Sequence, residues 1–300
     1  MTLPLSLIGA PSSAGAYAPG QEKAPAAFRR HGLAAALARA GRRLRDRGDV
    51  EGFRWRPDPG RPKAMNLDAV QRVAAGLADR VGRAMAAGEA VLVLGGDCTV
   101  ELGTVAGALR DEASVGLVYI DLDADLNAPE TSDGALDWTG VAHLLDLPGA
   151  APELAALGPR RPLLGADGVL FFAADNITLP ESGTMARLGL PRVGLAEARA
   201  DPHAAAERAL AWAGQHRRLL VHLDLDVLSY VDFPIAENVR RGDGLTLPAL
   251  SEALSVLVAA PNWRGLTVTE ANPDHAPDEA EAFTRLIEML ARALAAAPGR

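Results

Sequence analysis

Apolar positions follow two alternating patterns along the chain. Short runs rich in apolar and β-branched residues are typical of buried strands, and they occur at 5–8, 91–94, 115–120, 169–172, 219–223 and 266–268. Longer segments with apolar residues at helical spacing lie between them, at 24–40, 67–87, 99–109, 195–213, 247–259 and 279–297. This alternation predicts a parallel sheet with helices on both faces, in a single domain over residues 1–300.

Composition and charge exclude several classes of protein. Hydrophobic residues make up 49% of the 300 residues and charged residues 23%, which is ordinary for a globular protein. The 30 basic and 38 acidic residues give a net charge of −8, so we expect no nucleic-acid or anionic-membrane partner. The single cysteine, Cys98, excludes an internal disulfide, and neither a signal peptide nor an apolar stretch of ~18 residues is recognisable. We therefore expect a cytoplasmic protein.

In parallel sheets, ligands bind beyond the carboxyl ends of the strands, and three such junctions are unusual here. After the run at 91–94 comes Gly95-Gly96-Asp97-Cys98, a tight turn that leads into a helix. Near a helix N-terminus the thiolate of Cys98 would be favoured, which makes its sulfur a competent metal ligand. The alternative, a small buried core cysteine, is about equally compatible with the sequence.

The second junction is rich in aspartate. Asp121, Asp123 and Asp125 alternate with Leu122 and Ala124, so in an extended chain the three carboxylates share one side and the apolar pair faces the other. Two unit charges ~4 Å apart repel by roughly 4 kcal/mol at an effective dielectric constant of ~20. A partly buried row of carboxylates therefore needs a cation or bound protons. An acidic, solvated loop is the alternative, and it fits poorly after so apolar a strand.

The third junction repeats this pattern, with Asp224 and Asp226 following the run at 219–223. Five carboxylates and one thiol at a single sheet edge predict a site for one or two divalent cations. His222 precedes Asp224 by two residues and would share its face, but a satisfied core histidine is the favoured interpretation.

These motifs resemble those of the ureohydrolase family, which includes arginase, agmatinase and formimidoylglutamase. The family patterns Gly-Gly-Asp-His, Asp-Ala-His-x-Asp, Ser-x-Asp-x-Asp and Glu-Val-Asn-Pro correspond, in order, to the stretches at 95–98, 121–125, 223–226 and 270–273. The resemblance implies a three-layer α/β/α fold with a parallel eight-stranded sheet. It also implies a homo-oligomer, a trimer or a hexamer.

The resemblance further implies a binuclear manganese site that hydrolyses a guanidinium group. One ion would be held by Cys98, Asp121, Asp125 and Asp224. The other would be held by Asp121, Asp123, Asp224 and Asp226. A hydroxide bridging the two metals would attack the central carbon of a guanidinium and release urea.

Other positions correspond to substrate-handling residues of the family. Glu270 matches the carboxylate that holds the guanidinium, and Asn127 matches a residue that reads the far end of the substrate. Asp133 lies in a loop that aligns with a second such reader. Asp137 falls where arginases carry a proton-shuttling histidine, and a carboxylate can serve as a general acid or base if its pKa is raised.

The two histidine ligands of the family are replaced here by Cys98 and Asp123. More anionic ligands hold a cation more tightly but weaken its Lewis acidity, which disfavours plain L-arginine hydrolysis. The leading hypothesis is a metal-dependent amidinohydrolase acting on a guanidino or linear amidine compound that is arginine-like or a specialised arginine derivative. The alternative is an inactive family member that binds metal or ligand, or serves as an assembly partner. Amide hydrolysis, which needs an Asp/His/Asp set, is disfavoured.

Overall fold

The computed structural model describes residues 3–237 and 240–298, and its centre is one parallel eight-stranded sheet. The strands in chain order are β1 (Leu5–Gly9), β2 (Leu44–Asp49), β3 (Ala90–Leu94), β4 (Val115–Ile120), β5 (Val169–Ala174), β6 (Arg192–Gly194), β7 (Arg218–Asp224) and β8 (Trp263–Thr269). Their spatial order is β2-β1-β3-β8-β7-β4-β5-β6. The α/β class and the eight-stranded parallel sheet are as predicted.

The four strands that precede the conspicuous motifs are neighbours at the centre of the sheet. Their order there is β3, β8, β7 and β4, although they are far apart in the chain. Their ends are also level, because Val268 pairs with both Leu94 and Leu223, and Leu223 pairs with Ile120. The residues that follow these strands therefore emerge side by side at one edge.

Helices cover both faces of the sheet. They are α1 (Ala24–Arg30), α2 (Leu33–Arg39), α3 (Leu67–Ala86), α4 (Val100–Ala108), α5 (Gly140–Leu144), α6 (Pro152–Ala155), α7 (Leu179–Leu188), α8 (Leu195–Ala200), α9 (Pro202–Ala213), α10 (Leu247–Val258) and α11 (Glu279–Ala295). One buried apolar layer joins the sheet to α1, α2 and α8 to α11, and the other joins it to α3 to α7. Alternate strand residues such as Leu92 and Val93 enter opposite layers, as the period of a strand requires.

Some element boundaries differ from the sequence prediction. The helix expected at 24–40 is two helices, because the chain turns at Gly32 with φ of 88°. The helix expected at 195–213 is also two, since Asp201 caps a new helix that begins at Pro202. The prediction of a single domain over residues 1–300 stays a prediction. Within the described ranges, no helix is both long and apolar enough to span a bilayer.

Candidate metal centre

The turn after β3 is held against the segment that follows β1. A Cβ at Gly96 would lie 1.6 Å from the carbonyl oxygen of Ser12, so only glycine fits there. The amide of Asp97 donates to that oxygen at 2.9 Å, and the carboxylate of Asp97 accepts from the amide of Gly15 at 3.0 Å. This fixed turn places Cys98, 2% exposed, at the carboxyl edge of the sheet.

The aspartate segment after β4 does not continue as an extended strand. Leu122 and Ala124 are fully buried, but they enter opposite apolar layers. The expectation that they face the same way is therefore wrong. The chain leaves the sheet after β4, and Asp125 adopts a left-handed conformation with φ of 50° that turns the backbone.

The carboxyl edge carries two groups of possible metal ligands. In each group the candidate ligand atoms all lie within 4.8 Å of one another. The first group consists of Cys98, Asp121, His222 and Asp224. The second consists of Asp121, Asp123 and Asp226, so Asp121 belongs to both groups. Asp125 belongs to neither group, and its carboxylate accepts a hydrogen bond from the hydroxyl of Tyr119.

Burial and mutual repulsion favour the protonated forms of these carboxyl groups. Burial, and then the neighbouring carboxylates, raise the pKa of Asp121, Asp224 and Asp226 well above the ordinary value. Burial also raises the pKa of Asp123, to about 6. Without a compensating cation the cluster must therefore take up protons.

The donor set itself fits a cation. Oδ2 of Asp121 is buried and has no hydrogen-bond donor among the described residues. Burial and the charge of Asp224 raise the pKa of Cys98, whose thiol donates to Oδ2 of Asp224 at 2.7 Å. Because buried polar atoms are rarely left without partners, an orphaned carboxylate oxygen among further oxygen and sulfur donors fits a metal ion.

Glu270 lies beside these groups, immediately after β8. It is 9% exposed and adopts a left-handed conformation with φ of 61°, which is unusual for a side chain of its size. Its Oε1 accepts from the amide of Cys98 at 3.0 Å, and its Oε2 accepts from Nε2 of Gln21 at 3.1 Å. Burial, and then the charges of Asp137 and Asp97, raise its pKa.

A single cavity opens onto both groups and Glu270. Its described lining is Tyr17, Cys98, Asp121, Asp123, Asp125, Asp133, Asp137, Trp138, Asn176, Asp224, Asp226, Glu237 and Glu270. Nine of these side chains carry carboxyl groups, and none of the described lining residues is Lys, Arg or His. The lining therefore suits positively charged ligands better than anions.

The remaining predicted site residues lie around this cavity. Asp133 and Asp137 line it, and burial raises the pKa of Asp137 well above the ordinary value. Asn127 lines an adjoining pocket that Asp133 also borders, and its Nδ2 donates to Oε1 of Glu181 at 3.0 Å. The structure thus brings the predicted residues to one edge, with Asn127 at the periphery.

His222, expected from the sequence to be a satisfied core histidine, belongs to the first group of candidate ligands. It is fully buried on β7, and its Nε2 lies 3.5 Å from Sγ of Cys98. Its Nδ1 lies 3.2 Å from Oε2 of Glu101 on α4. The spacing of two residues to Asp224 on one strand was the only signal in the sequence.

Clustered carboxylates at the ends of central parallel strands define an α/β protein suited to divalent cations. A model of the arginase family matches residues 4–295, and the chain belongs to that family. The predicted ureohydrolase resemblance is therefore confirmed.

Individual relatives show the same likeness. Human mitochondrial arginase-2 is 27% identical over 295 residues, which cover 93% of this chain and 80% of the relative. Bovine mitochondrial arginase-2 is 32% identical over 184 residues, which cover 59% of this chain and about half (51%) of the relative. The crystal structure of Bacillus cereus arginase matches with a TM-score of 0.87 at 24% identity, over 98% of both chains, which shows the fold.

Proposed function

We propose that this protein is a metal-dependent hydrolase of C–N bonds in a guanidino compound. The observation that carries the proposal is Glu270, a buried carboxylate that lines an acidic cavity beside two groups of candidate metal ligands. A planar guanidinium donates paired hydrogen bonds, which a carboxylate accepts well. The amides of Cys98 and Gln21 each use one lone pair of Glu270, so each oxygen keeps a second for a substrate.

We propose Mn²⁺ as the ion of the group formed by Asp121, Asp123 and Asp226, because oxygen ligands suit this metal. Divalent ions bound at this edge would supply Lewis acidity and a nucleophile from water at neutral pH. Asp137 is the proposed proton carrier, since burial raises the pKa of its carboxyl group and a protonated carboxyl group can donate as well as accept a proton. The proposal includes a homo-oligomer, trimeric or hexameric, in the cytoplasm.

The charges that line the cavity also indicate which group the substrate carries at the end away from its guanidinium. An α-carboxylate there would face Asp133 and Glu237, with no basic side chain among the described lining residues to pair with it. The mouth instead carries the half-exposed rings of Tyr17 and Trp138, and aromatic faces attract cations. We therefore propose a guanidino compound whose far end is an amine or is uncharged, rather than an amino acid.

The test is a substrate screen on untagged protein loaded with Mn²⁺, with urea and amine release as readouts. The matched pair is L-arginine and the guanidinoalkylamine that lacks only its carboxylate. We expect kcat/KM for the amine to exceed that for L-arginine by at least tenfold. A higher kcat/KM for L-arginine would refute the proposal about the far end of the substrate. If no guanidino or amidine compound released urea or amine, the proposed activity itself would be refuted.

A second candidate is an inactive family member that binds metal or ligand, favoured by Cys98 and Asp123 at the positions of the two family histidines. Under this proposal, restoring histidine at these two positions and at Asp137 creates activity that the natural chain lacks. Robust turnover by the natural chain would eliminate it.

A further inference from the structure

We propose that Cys98, Asp121, His222 and Asp224 form a site of mixed sulfur, nitrogen and oxygen ligands that selects zinc. The ligand set expected from the family resemblance contains Asp125 and no histidine, so His222 is a new ligand in an altered set. The inference concerns metal identity and does not depend on the proposed hydrolysis.

The spacing of the side chains suits a four-coordinate ion. Zinc–sulfur and zinc–nitrogen bonds of about 2.3 and 2.0 Å at tetrahedral angles separate the two ligand atoms by roughly 3.5 Å. Sγ of Cys98 and Nε2 of His222 lie 3.5 Å apart. Sγ also lies 2.7 Å from Oδ2 of Asp224 as a thiol hydrogen bond. A metal ion that binds the thiolate would displace this proton to solvent, and the two atoms could then separate as ligands of one ion.

The surroundings of His222 hold its ring in the orientation of a ligand. Its Nδ1 faces Oε2 of the buried Glu101 at 3.2 Å, so Nε2 points the other way, to 3.5 Å from Sγ of Cys98 and 3.3 Å from Oγ1 of Thr269. Tyr119 stacks on the ring with centroids 4.1 Å apart and planes 4° from parallel. Metal-bound histidines characteristically donate their other nitrogen to a carboxylate in this way, which fixes the tautomer and raises ligand basicity.

Two further observations point to an ion at this place. Oδ2 of Asp121, a residue 1% exposed, has no hydrogen-bond donor among the described residues. Asp125, the ligand expected from the resemblance, is bonded instead to the hydroxyl of Tyr119 and lies outside the group. The fourth donor of the group is therefore His222 and not Asp125.

The donor types decide which metal binds. A thiolate with an imidazole selects zinc over manganese, whereas the oxygen-only group of Asp121, Asp123 and Asp226 suits manganese or magnesium. The two adjacent positions therefore take different metals, with Asp121 common to both.

The test uses the natural chain loaded with one equivalent of Zn²⁺ or Co²⁺. Zinc X-ray absorption is expected to show one sulfur and one imidazole in the coordination shell, and Co²⁺ to give a thiolate charge-transfer band with tetrahedral visible bands. A shell with oxygen alone, or with sulfur and no imidazole, would overturn the proposal without any variant being made.

Variants then assign the imidazole. His222→Gln is expected to weaken Zn²⁺ binding at least 100-fold, and Glu101→Gln to weaken it 10- to 100-fold, the usual effect of losing a partner of the ligand. His143→Gln is the matched control, because it removes another fully buried histidine that lies outside both groups. Circular dichroism confirms that each variant is folded. Unchanged Zn²⁺ affinity and an unchanged cobalt spectrum in folded His222→Gln would overturn the assignment.

Discussion

Neutralising Asp121 should stabilise the protein when metal is absent and destabilise it when metal is present. Asp121 belongs to both groups of candidate ligands, is 1% exposed, and has one oxygen without a hydrogen-bond donor among the described residues. Asp121→Asn preserves its shape, removes its charge and supplies an amide that can donate to a neighbouring carboxylate. The variant thus separates the electrostatic cost of the cluster from its packing.

The size of the effect follows from the spacing of the carboxylates. Two unit charges at the 4.8 Å limit of the group repel by about 3.5 kcal/mol at an effective dielectric constant of ~20. At pH 8 the metal-free cluster must either bear such a repulsion or take up a proton to relieve it, and both lower the stability of the folded state. Removing one charge should therefore raise the free energy of unfolding at pH 8 by about 3 kcal/mol. With an unfolding entropy of ~2.1 cal/mol/K per residue, this corresponds to a rise in Tm of roughly 5 °C for a chain of this length.

The effect must depend on pH in a definite direction. Burial raises the pKa of Asp121, so its contribution to stability is complete below the ordinary value of about 4 and is lost as the pH rises towards the raised pKa. The metal-free natural chain should therefore be less stable at pH 8 than at pH 5. Asp121→Asn should show a smaller loss over the same interval.

The assay is thermal and denaturant unfolding at pH 5, 6.5 and 8, with a chelator and then with saturating Mn²⁺ or Zn²⁺. Asp133→Asn is the matched control, since Asp133 lines the cavity but belongs to neither group, and it should leave Tm within about 1 °C. Metal should stabilise the natural chain more than Asp121→Asn. The reasoning would be refuted if metal-free Asp121→Asn were no more stable than the metal-free natural chain at pH 8. It would also be refuted if the difference in stability between the two did not grow with pH.

Three further predictions test other parts of the structure. Glu270→Gln should lower kcat/KM for urea release at least 100-fold, while the metal content measured by elemental mass spectrometry stays unchanged. A loss of metal in this variant would show that Glu270 is a metal ligand and not the carboxylate that binds the substrate. Gly96→Ala should lower the free energy of unfolding by roughly 3 kcal/mol or more in denaturant titrations, because its Cβ would meet Ser12, whereas a neutral result would contradict the close approach. Thr178→Ala should cost about 1 kcal/mol in the same assay, since it removes the capping box of α7, and Thr184→Ala, inside that helix, is the control.

The apolar pattern predicts the interior of the sheet well and its edges poorly. The six strands expected from the sequence are buried, so packing demands apolar residues at most of their positions. The pattern misses β2, whose sequence LRDRGD is mostly exposed at the edge of the sheet, and β6, which has only three residues. A charged edge strand is stabilised by its backbone pairing with β1, and this pairing leaves no apolar signature.

The candidate site was predictable in its residues and less so in its geometry. The motifs after β3, β4, β7 and β8 are visible in the sequence, but their adjacency depends on a spatial strand order that apolar patterns do not encode. The path of the segment at 121–125 depends on a left-handed Asp125, which a rule for extended chain cannot anticipate. Asn127 donates a hydrogen bond to Glu181, which lies on α7, and the apolar pattern does not predict that helix.

His222 changes the meaning of the histidine replacements. When the family pattern Ser-x-Asp-x-Asp is placed on Asp224 and Asp226, His222 stands at the position of its serine. Cys98 stands at the position of the histidine of Gly-Gly-Asp-His. An imidazole is thus absent at one position and present at another, and Nε2 of His222 lies 3.5 Å from Sγ of Cys98. Under the proposed ligation the site keeps one imidazole ligand, so His222 offsets one of the two losses inferred from the motifs alone. The gain in negative charge falls mainly on Asp123, and the weakening of Lewis acidity should be greatest at the oxygen-only group.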